Sequence, residues 1–127
     1  MKTLTTATIF RLFERARTNA LGGPDALQML SSGDTHVYVA RVSDYEVIRD
    51  VNADDGQVIV KSVCEPLGSL EGGVSMINFN QFVCDADDMT IVAKAVVTCS
   101  CVDATTGSTA AFPLKIAKTF FQLESVI

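Results

Sequence analysis

Residues 5–21, TTATIFRLFERARTNAL, carry the only long amphipathic helical pattern in this chain, and Gly22-Gly23-Pro24 closes it at once. Ile9, Leu12, Phe13, Ala16 and Ala20 recur at the i, i+3, i+4, i+7 spacing of one buried helical face, widened by Phe10 and Leu21. Arg11, Arg15 and Thr18 fall opposite, toward water. Arg17 does not: it projects between Phe13 and Phe10, inside the apolar arc, with Glu14 at the edge of that arc. An arginine so placed either reaches out to solvent along its stem or is held there for a purpose. Glycine supplies a left-handed cap and proline cannot continue the ladder, so the helix stops at residue 21. Thr3, Thr5 and Thr6 are each possible caps at its start.

Nearly everything after Val37 reads as strand. Residues 36–48, 57–65, 74–84 and 89–103 have the alternation and turn boundaries of four strands, with 50–56, 66–73 and 85–88 as the reversals. Residues 22–33 read as loop, with a short helical turn at 25–30. Residues 110–113 read as an edge segment, and 115–124 as a short terminal helix, though the pattern there also fits a strand. Consecutive strands joined by short turns predict an antiparallel meander packed against one helix, an α+β arrangement. In the last strand Ile91, Ala93, Ala95, Val97, Cys99 and Cys101 share one face, while Val92, Val96 and Val102 lie on the other. A half-exposed sheet alternates polar with apolar, so two apolar faces predict that a second subunit covers the sheet, as a homodimer or homotetramer.

At 127 residues the chain is expected to be one domain, residues 1–127, able to bury a real core. Mean hydropathy of +0.29 is high for its size. No apolar run approaches the ~20 residues of a membrane span, so the surplus fits subunit contact and no membrane partner is expected. A net charge of −5 leaves no basic stripe to displace counterions, which argues against nucleic acid. The opening MKTLTTATIF lacks the apolar stretch of a secretory signal, so a reducing cytoplasm is expected, with Cys64, Cys84, Cys99 and Cys101 as buried thiols. Neither the spacing of Cys99 and Cys101 nor the lone His36 suits a metal site; no metal or cofactor is expected.

A helix followed by a curved antiparallel sheet resembles the hotdog fold, and the residues are similar to the 4-hydroxybenzoyl-CoA thioesterase family. Residues 7–18, ATIFRLFERART, resemble that family's xYFxxFExAR helix. Gly56 with residues 58–63 is similar to GDxLxVxxxV, and Leu67-Gly68-Ser69 stands where LGxSS would. Cys101-Val102-Asp103 and Thr106-Gly107, ahead of Phe112-Pro113, resemble xVxxDxxTGxxxPxP. The match runs from Thr5 to Pro113. It implies a hotdog-like sheet wrapped around one central helix, and hydrolysis of an acyl-CoA or acyl-carrier-protein thioester. The alternative is a non-catalytic hotdog subunit that binds an acyl group or completes a hetero-oligomer. In the family a strand and a DxxGHVNN loop precede the helix; here residues 3–6 take the place of HVNN, and the loop aspartate would fall ahead of Met1.

Thioester hydrolysis needs a carbonyl polariser and a carboxylate acting as base or nucleophile. The resemblance places oxyanion donors at the helix start, near Thr8 and Ile9, where N-terminal amides are unpaired; hydroxyls of Thr5, Thr6 and Thr8 would add donors. The competing explanation is plain helix capping. Glu14 is the carboxylate expected as base, its pKa raised by desolvation at the arc's border. Arg17 is expected to face the thioester carbonyl or the phosphopantetheine arm, as helix arginines do in the polyketide-associated thioesterases this helix resembles. Against the first stands a structural i, i+3 ion pair of Glu14 with Arg17, and against the second a structural arginine that packs its stem on Phe13 and Phe10. Asn78, with Asn80 on the same strand face, is expected either to line a wet acyl channel or to bond across a subunit contact. His36 reads as a surface residue, Asp103 as a turn former and 85–88 as a solvated turn.

Overall fold

The computed structural model describes residues 4–23, 35–49, 57–69 and 73–113. Helix α1 spans Thr6–Ala20. Thr5 caps it, its backbone extended and its hydroxyl accepting from the Thr8 N–H at 3.2 Å. At the other end the Gly23 N–H returns to the Thr18 carbonyl at 2.9 Å and the Gly22 N–H to that of Asn19 at 3.1 Å. This is the paired closure that a glycine with positive φ allows. Ile9 and Phe13 are buried, as the helical spacing requires.

Four strands follow: β1 Thr35–Val47, β2 Val58–Ser69, β3 Gly73–Asp85 and β4 Ile91–Asp103. All pairings are antiparallel, in the order β1-β4-β3-β2. The expected meander is therefore correct from β2 to β4 only, since β1 lies beside β4 and not beside β2. Burial explains the exchange. Strands β3 and β4 are the most thoroughly buried and take the centre; β1 is exposed along most of its length and takes an edge. Strand β2 also runs past its expected end at Glu65, with Pro66 paired opposite Ile77, a residue that an edge strand tolerates. The expected turns at 25–30 and 50–56 and the terminal segment 115–124 lie outside the described residues; of the expected reversal at 66–73, residues 66–69 and 73 are strand and only 70–72 lie outside them.

Register shifts at Val39/Arg41 and Ser43/Glu46 bend β1, with Asp44 at φ +56°, and another interrupts β3 at Val83/Cys84. The helix packs on one face of the resulting sheet, over two apolar clusters. One gathers Ile9, Phe13, Val83, Val92, Ala93 and Ala95. The other holds Leu21, Cys64, Val74, Ile77, Phe79, Val97, Cys99, Cys101 and Phe112. Along β3 the helix-facing residues run Ile77, Phe79, Gln81, Val83, so a glutamine stands where the two clusters meet. All four cysteines are buried and free, as read from the sequence.

Candidate active site

Arg17 faces the sheet, and its partner is that glutamine. Arg17 Nη1 donates to Gln81 Oε1 at 2.9 Å. Gln81 is fully buried; its Nε2 donates to the Phe13 carbonyl at 3.0 Å and to Ser62 Oγ at 2.9 Å. One amide thus joins α1, β2 and β3. Arg17 is half-buried, and burial lowers its pKa, opposed by the neighbouring Cys99 and then by Glu14. The surrounding thiols stay protonated: burial raises Cys99 despite Arg17, and pushes Cys64 up to about 11. No carboxylate pairs with Arg17 among the described residues. A guanidinium held by a neutral amide, without a counter-ion, is poised to receive an anion or a developing oxyanion.

Glu14 lies three residues before Arg17, close enough to favour its charged form, yet the two make no ion pair. The expected structural pair is absent, and so is the expected desolvation: Glu14 is exposed, on the outer side of the arc's border where no described strand covers it.

The helix start is a separate place. Thr5 and Thr8 are engaged in capping, their hydroxyls 3.0 Å apart, and Arg11 Nη2 adds a 3.4 Å contact to Thr8. Ile9 is buried and its N–H bonds the Thr5 carbonyl at 2.9 Å, so neither the Thr8 nor the Ile9 amide is free to polarise a carbonyl. The N–H groups of Thr6 and Ala7 have no acceptor among the described residues. Thr6 Oγ1 and the Tyr45 hydroxyl are 3.0 Å apart, and the Tyr45 ring packs on Phe10 at a centroid distance of 4.9 Å. At 1.5 Å of rise per residue, Thr8 and Arg17 lie about 13 Å apart along the axis. Within one chain they do not meet on a single carbonyl.

Asn78 is on the other face. Its parity along β3 is opposite to that of Gln81, and it accepts from Thr98 Oγ1 at 2.6 Å. It lines a groove of about 380 Å³ with Arg41, Met76, Val96 and Thr98, and Asn80 lines an adjoining one of about 300 Å³ with Phe82 and Lys94. Of the residues singled out in the sequence, then, the fold gathers Glu14 and Arg17, groups Thr5, Thr6, Thr8 and Ile9 at the helix start, and sets Asn78 apart.

No protein-family model matches the chain, and no curated protein does. Solved structures do. Slr0204, a 1,4-dihydroxy-2-naphthoyl-CoA thioesterase from Synechocystis, superposes with a TM-score of 0.80 at 12% identity, over 96% of this chain and 85% of that one. A Thermus thermophilus thioesterase complexed with coenzyme A and Zn gives 0.72 at 20% identity, over 97% and 82%. A DHNA-CoA thioesterase from Staphylococcus aureus gives 0.70 at 10%, over 94% and 76%. The chain has the hotdog fold. Its helix and curved sheet are the parts of that hotdog expected from the sequence.

Within the hotdog, sequence reasoning missed Gln81, Ser62 and Tyr45. Gln81 left a trace, a lone polar residue at the parity of Ile77, Phe79 and Val83. Its partner, 64 positions away, left none. Elsewhere the readings hold. Asp103 Oδ1 accepts from the Thr105 and Thr106 N–H groups at 2.8 and 3.2 Å, and His36 is exposed on β1. The 85–88 turn is exposed at its tip and is also braced by Arg49, whose Nη2 lies 2.9 Å from Asp85 Oδ2. Asp88 is held below the usual carboxylate range by hydrogen bonds from Thr90 and, less strongly, by Arg49.

Proposed function

We propose that this hotdog domain hydrolyses an acyl thioester of coenzyme A or of an acyl carrier protein. The observation that carries the reading is the half-buried Arg17 guanidinium, held by a neutral amide and, among the described residues, without a counter-ion, one helical turn from the exposed Glu14. In this mechanism Arg17 donates to the thioester carbonyl oxygen. Glu14 takes a proton from a water that attacks the carbonyl carbon, and Arg17 stabilises the resulting oxyanion. Collapse breaks the C–S bond; the thiolate leaves with the proton returned by Glu14, and the carboxylic acid is released. The helix start, with Thr5, Thr6, Thr8 and Ile9, is too far along the axis to share this carbonyl in one chain. It serves the substrate of a neighbouring copy or a more distant part of the same ligand.

A homodimer or homotetramer supports that arrangement. Strand β1 is an edge among the described residues, and Tyr38, Val39, Val42 and Val47 along it are 44–47% exposed. Arg41 and Asp44 offer opposite charges for cross-strand pairing with a second copy. Asn78 and Asn80 would then face a second contact across the outer grooves. No helix among the described residues is long and apolar enough to cross a membrane, and four free thiols fit a reducing cytoplasm.

Purified protein assayed against a panel of acyl-CoAs and acyl-carrier-protein thioesters tests the reading, with Glu14→Gln beside wild type. Hydrolysis that falls with Glu14→Gln supports it. Hydrolysis indifferent to that change removes Glu14 as base. Binding without any hydrolysis favours a non-catalytic subunit, and a monodisperse monomer in light scattering removes the oligomer.

A further inference from the structure

Gln81 is the most deeply buried polar side chain among the described residues. Its amide has one acceptor oxygen and two donor hydrogens, and every part of it is engaged. The orientation follows from the partners. A guanidinium can only donate and a backbone carbonyl can only accept, so a flipped amide would set donor against donor and acceptor against acceptor. Burying an amide is costly unless it is fully bonded, and an aliphatic side chain would join the flanking clusters at less cost. The glutamine therefore calls for an explanation beyond packing.

Charge supplies it. A carboxylate at this position would bind the guanidinium more tightly, but it would also neutralise it. The amide fixes the guanidinium and leaves its charge intact. Resting on the reading of Arg17 given above, we propose that Gln81 is a positioning residue for thioester hydrolysis: it aims Arg17 at the carbonyl oxygen and, being neutral, keeps the positive charge available to the oxyanion.

Two substitutions separate positioning from packing. Gln81→Met keeps the volume and removes the acceptor. Gln81→Glu keeps the shape; protonated, it donates toward the Phe13 carbonyl as the amide does, and ionised, it neutralises Arg17. With the best thioester from the panel and a folded state verified by circular dichroism, Gln81→Met is expected to lower kcat about tenfold or more, with KM changed less than about threefold. Gln81→Glu is expected to approach wild-type kcat at acid pH and to lose it as the new carboxyl ionises, a pH limb that wild type and Gln81→Met lack. A folded Gln81→Met with kcat within about twofold of wild type overturns the proposal and leaves the hydrolysis reading standing. A wild type inactive on the whole panel overturns both. Should neither variant fold, wild-type protein labelled with ¹⁵N-arginine is titrated with an acyl-CoA analogue whose thioester sulfur is replaced by a methylene. The Arg17 guanidinium resonances are expected to shift with the bound fraction; saturation of the protein without that shift overturns the proposal.

Discussion

The guanidinium of Arg17 meets the side-chain carbonyl of Gln81 at 2.9 Å, across 64 residues of sequence and between two apolar clusters. Of the two fates open to an arginine inside the apolar arc, reaching out to solvent or being held in place, this contact decides for the second. It also leaves four of the five guanidinium N–H groups without a partner among the described residues.

Arg17→Lys is expected to lower thioester hydrolysis by about 10²-fold, because one ammonium cannot hold Gln81 and a carbonyl oxygen in a fixed fork. The folded state should survive, since the charge and most of the stem remain. Steady-state kinetics beside thermal unfolding checks both halves; a lysine variant of full activity would exclude the fork.

The Cys64 thiol is pushed up to about 11, first by burial and then by Cys99. The unfolded chain releases that proton near the ordinary thiol value of about 8.5. Between these values the folded state binds more protons, so stability is fully present below about pH 8.5 and falls as pH rises toward 11. Urea midpoints of wild type and Cys64→Ala, measured at about pH 8 and about pH 10.5, are expected to show the steeper loss in wild type.

Gly68, next to last in β2, has φ +127°, and a Cβ there would lie 2.5 Å from the Gly73 carbonyl oxygen. Backbone cannot give way as a side chain can. Gly68→Ala is expected to destabilise the chain by more than about 1 kcal/mol and to lower Tm by several degrees. Gly23→Ala is the contrast: no described residue lies within 4 Å of its added Cβ, so among these residues only the cost of positive φ remains.

Thr5→Ala removes one exposed cap and is expected to cost about 1 kcal/mol. Phe13→Ala empties the centre of a cluster in which the ring is fully buried, and about 3–5 kcal/mol is expected. Chemical denaturation should separate the two clearly; equal losses would mean that the helix is not anchored through Phe13.

Much of this architecture was legible in local pattern. The helix and its caps, the buried side of α1, the place of Arg17 within that side, and the alternation along β4 from Ala93 to Cys101 all follow from periods of 3.6 and 2 residues; the register shift before Ala93, which brings Val92 to the helix side and leaves Ile91 exposed, does not. Covalent geometry imposes those periods on any chain. Long-range pairing was not legible in that way. That β1 would lie beside β4, that Glu14 would stay in water, that Asn78 would face away from the helix, and that Gln81 would receive Arg17 depend on which surfaces are buried together. Many distant segments compete for that burial, and hydrophobic attraction has no direction with which to label the winner. Local spacing says where a side chain points, and the packed sheet alone says what it finds there.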